Sequence, residues 1–151
     1  MSLSALAGAV GRGLAAGVAG TAAMTVSSTI EQKARGRAAS SAPADATAKV
    51  LGIETFASDA AKDRFSLLAH WGYGTLWGVP RALFAIAGLS PVAATAAHGA
   101  AVYANEQVML PALEVAPPGF TWPVEEIAID AWHHVVYAIA TGVAYELLAD
   151  D

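Results

Sequence analysis

The feature that most constrains the fold is a set of long apolar runs that lack charged side chains. Residues 13–30 contain no ionisable side chain in 18 positions. In two further runs, 65–80 and 82–105, histidine and tyrosine are the only titratable groups. A helix of about 20 apolar residues spans a lipid bilayer. These runs therefore predict membrane-spanning helices rather than the core of a soluble domain.

The composition of the chain also indicates a membrane protein. Charged residues make up 14% of the chain and hydrophobic residues 56%, whereas a soluble domain has about 25% charged residues. Cysteine is absent, which excludes disulfides, thiolate metal ligands, iron–sulfur clusters and a cysteine nucleophile. No basic cluster with interleaved aromatic residues is present, so nucleic acid is not a predicted partner. The sequence also lacks a nucleophile elbow, a P-loop and a dinucleotide fingerprint, which favours a non-enzymatic function.

The predicted fold class is all-α, a single polytopic membrane domain over residues 1–151. A turn signal at 88–91 separates two apolar runs, and a loop at 116–123 with three prolines cannot be regular helix. This proline-rich loop precedes the last helix. The sequence therefore predicts a bundle of four transmembrane helices, at about 13–30, 65–89, 91–113 and 124–148.

The distribution of cations predicts the orientation in a cell inner membrane. The connection 31–64 carries six of the chain's eight Lys and Arg residues. By the positive-inside rule this connection is cytoplasmic, and four spans then place both termini outside the cytoplasm. Within the connection we expect a short surface helix near 44–53, closed by Gly52, and a helix amino-terminal cap at Ser58.

Small residues recur at helical spacing in the first two predicted spans. Gly13 and Gly17 form a small-xxx-small pair in the first span, and Gly74 and Gly78 form another in the second. Such faces let helix backbones approach closely in lipid. Packing within one monomer is the favoured interpretation, with a homo-oligomer or a membrane-complex partner as the alternative.

A polar stripe runs along the predicted fourth helix. Glu126, Asp130 and His134 are spaced four residues apart, and His133 adjoins them, so they share one face. Counting at about 1.5 Å per helical residue places Glu106 and His70 near the same depth. We expect these groups to converge in the cytoplasmic half of the bundle. The predicted proton- or ion-binding residues are Glu126, Asp130, His134, His70, Glu106 and His133.

Three interpretations of this polar cluster remain open. Carboxylates and imidazoles are ligands for Fe, Mn or Zn, and Asp130-x-x-His133 supplies one acidic-x-x-His step. The same groups can relay protons, because histidine titrates near neutrality and desolvated carboxylates shift upward. Alternatively, the acids cap the helix and the histidines join helices. The sequence identifies no cofactor, and Arg81 is expected to snorkel to the membrane surface.

A resemblance to a known family is carried by a run of motifs in roughly the last 80 residues, together with the earlier His70: Pro111, Pro117-Pro118-x-Phe120 and Pro123-x-x-Glu126-x-x-x-Asp130-x-x-x-His134-x-Val136. With these motifs the chain resembles the YagU-like family of small bacterial inner-membrane proteins. Glu106 stands where the family has a histidine, and Asp130 where it has a glutamate. The resemblance implies an integral membrane protein with a polar centre, and it supplies no reaction.

The leading hypothesis is a non-enzymatic membrane protein whose acid and histidine cluster binds or conducts a proton or a cation by alternate protonation. The rival hypotheses are a structural or accessory subunit of a membrane complex, in which the cluster only fixes helix register, and a membrane metal-binding protein. A metalloenzyme would in addition need a vacant coordination position and a substrate pocket.

Overall fold

The computed structural model describes residues 2–149, which form five α-helices and one turn of 3-10 helix and contain no strand. The predicted all-α class is confirmed. In chain order the helices are α1 (Leu3–Arg35), α2 (Ala42–Leu51), α3 (Asp59–Ile86), α4 (Pro91–Ala112) and α5 (Val124–Ala149), with the 3-10 turn at Gly119–Thr121 in the proline-rich loop.

Local side chains explain where several helices begin and end. Ser58 accepts a hydrogen bond from the backbone N–H of Ala61 and caps α3, as predicted. Ser90 caps α4 in the same way through the N–H of Ala93. Gly52 ends α2 with a φ of 68°, in the left-handed region that favours glycine. The short helix expected near 44–53 therefore lies at Ala42–Leu51.

Helix α1 is longer than the first predicted span. It has 33 residues, a length of about 50 Å, and it continues to Arg35 before Gly36 ends it. The polar connection predicted to begin at residue 31 therefore has a helical first turn. Lys33 and Arg35 lie in the last turn, where cations interact favourably with the helix dipole.

The four long helices pack as an antiparallel bundle. Helix α1 packs against α3 and α5, and α4 packs against α5 and α3. The carboxyl ends of α1 and α4 and the amino ends of α3 and α5 consequently share one end of the bundle. Helix α2 contacts α3 and α4 and lies at this end, which is called the α2 end below.

Glycines allow α1 to approach its neighbours closely. A Cβ atom added at Gly13 would lie 2.6 Å from the carbonyl oxygen of Gly78, and one added at Gly17 would lie 3.0 Å from that of Gly74. On the other side of α1, a Cβ added at Gly20 would lie 2.9 Å from Tyr137 Cε2. These small-residue faces are therefore used for packing within the monomer.

Two of the four long helices, α1 and α5, are long and apolar enough to cross a membrane. Helices α3 and α4, with 28 and 22 residues, are not among the helices of this kind. The coarse prediction of a helical bundle with membrane-spanning helices thus rests on α1 and α5.

Candidate functional site

A cluster of three ionisable side chains lies between α4 and α5, toward the α2 end. Asp130 and His134 are one turn apart on α5, and Glu106 comes from α4. One ligand atom from each residue lies within 4.8 Å of the other two. These three residues are called the acid–histidine cluster below. Among residues 2–149, this is the one group of His, Asp and Glu side chains that lie close enough together to hold a metal ion.

The backbone of α5 fixes the imidazole of His134. Its Nδ1 lies 2.9 Å from the carbonyl oxygen of Asp130, and a carbonyl can only accept a hydrogen bond, so Nδ1 carries the hydrogen. In the neutral ring Nε2 then holds the lone pair, and this atom lies 3.1 Å from Glu106 Oε2. Nε2 can thus bind a metal ion or, when protonated, form an ion pair with Glu106.

The cluster is largely buried, and its carboxylates are incompletely paired. The side chains of His134, Glu106 and Asp130 are 10%, 20% and 22% exposed. Within the described chain, Glu106 Oε2 and Asp130 Oδ2 are buried without a hydrogen-bonded partner. Buried acceptors of this kind are uncommon because they lose their hydration without compensation. The arrangement suits a cation or proton that would occupy the space between the carboxylates.

A cavity of about 630 Å³ adjoins the cluster at the α2 end. All four long helices and α2 contribute to its walls, and Glu106, Asp130 and His134 are among its lining residues. His70 and His133 also line it. The structure therefore brings five of the six predicted site residues to one cavity.

The other two histidines of the cavity wall, His70 and His133, contact α1 rather than the acid–histidine cluster. Thr25 donates its hydroxyl hydrogen to the carbonyl of Thr21, so the 2.8 Å contact between Thr25 Oγ1 and His70 Nε2 has the imidazole as donor. His133 Nδ1 lies 2.9 Å from Ser27 Oγ on α1. Both histidines thus join α1 to a neighbouring helix.

Glu126 does not join the cluster, and the prediction that it converges with Asp130 and His134 is wrong. It pairs with Arg35, with Nη2 2.5 Å from Glu126 Oε1. The physical reason is the extra turn of α1, which carries Arg35 to the first turn of α5. Glu126 therefore belongs to a surface ion-pair network rather than to the cavity.

The same network includes Glu31, which lies just beyond the first predicted span. Arg37 binds its two carboxylate oxygens at 2.8 and 2.6 Å, and Arg35 Nη1 lies 3.1 Å away. Chiefly through the hydrogen bonds from Arg37, these guanidinium groups hold the pKa of Glu31 below its usual range. The network ties the end of α1 to the segment leading into α2.

Arg81 is fully buried, so the prediction that it snorkels to the surface is wrong. Its guanidinium hydrogen-bonds to Glu146 on α5 and lies over the Tyr145 ring, with Cζ 4.7 Å from the ring centroid. His98 is also fully buried, and its Nε2 donates to the Trp77 carbonyl at 2.9 Å. Glu146 of α5 thus pairs with the Arg81 guanidinium, which the sequence alone placed at the membrane surface.

No family model, no curated protein and no solved structure matches this chain.

Sequence reasoning missed three aromatic residues of the cavity wall, Tyr73, Trp77 and Tyr137. A signal was present, because Tyr73 and Trp77 follow His70 at three and seven residues and Tyr137 follows His134 at three. These spacings place them on the same helical stripes as the histidines.

Proposed function

We propose that this chain is a multi-pass membrane protein that binds a cation, either a proton or a metal ion, at Glu106, Asp130 and His134. The observation that carries the proposal is the meeting of two carboxylates and one imidazole from two helices within 4.8 Å. Such a set combines negative charge with a nitrogen ligand that suits first-row metals and also protons.

The electrostatics of the surrounding bundle favour a cation at this point. Two buried carboxylates in a medium of low dielectric repel each other and are costly to desolvate. Arg35 and Arg37 are engaged by Glu126 and Glu31. His134 can supply at most one positive charge. A bound proton or metal ion would supply the charge that remains to be compensated.

The outer surfaces of the helices support four spans rather than two. Large apolar side chains are exposed along α3 and α4, where Leu68 and Leu76 are 73% and 63% exposed and Val108 is 69% exposed. Outward apolar side chains at this density suit lipid and are unfavourable in water. The lengths of the four long helices, at least about 33 Å, match the bilayer core of about 30 Å.

The proposed orientation places the acid–histidine cluster and its cavity toward the cytoplasm of a cell with the chain in its inner membrane. Support comes from the cations of the 31–64 connection, which gather at the α2 end. Similarity to the YagU-like family is part of the same proposal, since the motif that contains Asp130 and His134 carries that resemblance.

The first experiment is metal analysis of protein that was solubilised mildly without chelators. The comparison is between wild type, Glu106→Gln and His134→Ala, with Glu125→Gln as the matched control because Glu125 is 73% exposed on the same helix. Stoichiometric metal in wild type and in the control, lost from the other two variants, identifies a metal site.

Metal-free wild type leaves the proton as the bound cation, and proton flux in liposomes then decides the function. We expect flux in wild type that is lost in Glu106→Gln and His134→Ala and kept in Glu125→Gln. Metal-free protein whose flux is the same in all four forms would contradict the proposal and favour a cluster that only fixes helix register.

A further inference from the structure

The cavity beside the acid–histidine cluster is much larger than a proton or metal ion requires. Its volume of about 630 Å³ lies within the range of about 300–1,000 Å³ typical of sites for drug-sized ligands. Away from the cluster, its walls are largely apolar. They include Met24, Val50, Leu51, Leu67, Val102, Met109 and Leu110.

Aromatic rings form a second feature of the cavity, and hydrogen bonds hold them in place. Tyr73 accepts a hydrogen bond from Asn105 at 2.7 Å, and the Tyr137 hydroxyl donates to the Gly74 carbonyl at 2.6 Å. Trp77 packs edge-on against Tyr73, with ring centroids 6.2 Å apart. Fixed aromatic faces attract organic cations through cation–π interactions.

The cavity lining carries negative charge beside the acid–histidine cluster. Among the lining residues that the structure describes, Arg37 is the only Lys or Arg, and Glu31 pairs with it at 2.6 Å. Glu106 and Asp130 each keep a buried oxygen without a hydrogen-bonded partner. His133 adds an imidazole that is only 7% exposed, and its Nε2 forms no hydrogen bond within residues 2–149.

We propose that the cavity binds a lipophilic organic cation, an ammonium or phosphonium centre that carries aryl or alkyl groups. The positive centre lies near Glu106 and Asp130, and its apolar groups contact Trp77 and the aliphatic wall. This inference rests on the proposed function, because the same two carboxylates form the cation site, and it adds the chemical class of the larger ligand.

Tetraphenylphosphonium is a suitable probe, and tetraphenylborate is its control. The two ions have nearly the same shape and opposite charge, so their comparison separates charge recognition from hydrophobic partition. Binding is measured by equilibrium dialysis against wild-type protein in lipid nanodiscs, with empty nanodiscs as the blank. We expect saturable binding of one phosphonium ion per chain and no saturable binding of the borate.

Two pairs of variants test the contacts. The double variant Glu106→Gln, Asp130→Asn should weaken phosphonium binding at least about tenfold, because charges in a partly buried site interact strongly, whereas Glu125→Gln should bind like wild type. Trp77→Leu should weaken binding about fivefold through loss of the aromatic face that contacts the aryl groups. Trp132→Leu is its matched control, since Trp132 is 60% exposed on α5. Circular dichroism and a single gel-filtration peak confirm that each variant is folded.

Each outcome decides the inference separately from the proposed function. Equal binding of both probes, or phosphonium binding unchanged in the folded double variant, would overturn the organic-cation site. If phosphonium does not bind while metal binding or proton flux still depends on Glu106, the inference fails and the proposed function stands. If neither dependence is found, both fail.

Discussion

At the scale of single residues, the geometry of His134 determines the chemistry of the cluster. Its Nδ1–H is committed to the Asp130 carbonyl at 2.9 Å, which leaves Nε2 directed at Glu106. The spacing of Asp130 and His134 along one helix could be read from the sequence. The pairing of Glu126 with Arg35 could not, because it depends on where α1 ends.

Glu106→Gln is expected to separate stability from binding. Removing one of two buried acids relieves their repulsion, so the free energy of unfolding should rise by about 1 kcal/mol even though cation binding is lost. His134→Ala should instead lower stability, because it leaves Glu106 without its imidazole neighbour. Thermal unfolding in mild detergent with chelator present measures both. A loss of stability in Glu106→Gln as large as that in His134→Ala would contradict this expectation.

Arg81 allows a second prediction at the residue scale. Glu146→Gln leaves a fully buried guanidinium without its carboxylate partner, and the expected cost is about 3 kcal/mol. The double variant Arg81→Met, Glu146→Gln should recover most of that loss, because no buried charge then remains unpaired. Denaturant titration of the single and double variants in detergent measures the difference. Additive losses in the double variant would be inconsistent with a direct pair.

At the scale of helices, the contact between α1 and α3 depends on glycine. The small-residue spacing in both helices predicted close packing, whereas the choice of partner helix required the three-dimensional arrangement. Gly13 lies so close to Gly78 of α3 that a Cβ added at Gly13 would lie 2.6 Å from the carbonyl oxygen of Gly78. Gly72 lies on the same helix α3, and a Cβ added to it would meet nothing within 4 Å.

Gly78→Ala should therefore destabilise the bundle by about 1–3 kcal/mol through overpacking. Gly72→Ala is the matched control and should be neutral or slightly stabilising, because alanine is the better helix former. Unfolding in detergent followed by circular dichroism compares the two. Equal effects would contradict a close contact between α1 and α3.

The ion pairs of Glu31 predict a response to pH at the end of α1. Its pKa is lowered in the folded protein by Arg37 and Arg35. The stabilisation is therefore present above the usual pKa of a glutamate and is lost as the pH falls through the lowered folded value. His133 Nε2 lies 3.8 Å from Glu31 and Glu126 pairs with Arg35, so both belong to the same network.

A spin label at Ala38→Cys can report this loosening, since the native chain has no cysteine. We expect label mobility to increase as the pH falls below the usual carboxyl range. The same label in a Glu31→Gln background should be mobile already at neutral pH. A label whose mobility is identical in both backgrounds at every pH would show that Glu31 does not hold this segment.

At the scale of the whole molecule, the proposed topology has four spans with the α2 end in the cytoplasm. Single cysteines test this cleanly. Ala38→Cys, in the connection before α2, should react with a membrane-impermeant thiol reagent only from the cytoplasmic side, and Ala87→Cys, beyond the other end of α3, only from the opposite side. Labelling of both positions from one side would contradict a spanning α3.

The all-α class and the capping at Ser58 followed from apolar periodicity and local hydrogen bonding, which act over a few residues. The cavity and the burial of Arg81 could not be predicted from these local features. They depend on which helix lies beside which, and α1 reaches α5 from more than 100 positions earlier in the chain. Apolar patterns constrain single helices far more strongly than they constrain helix neighbours.

The most direct test of the cation site is infrared spectroscopy of the carboxyl groups in membrane-reconstituted protein, titrated with acid and with a metal ion or tetraphenylphosphonium. We predict that one component of the protonated-carboxyl band in wild type and in Glu125→Gln disappears on cation binding, and that this component is missing from Glu106→Gln, Asp130→Asn. Spectra of the double variant that match wild type at every pH and cation concentration would contradict cation binding at Glu106 and Asp130.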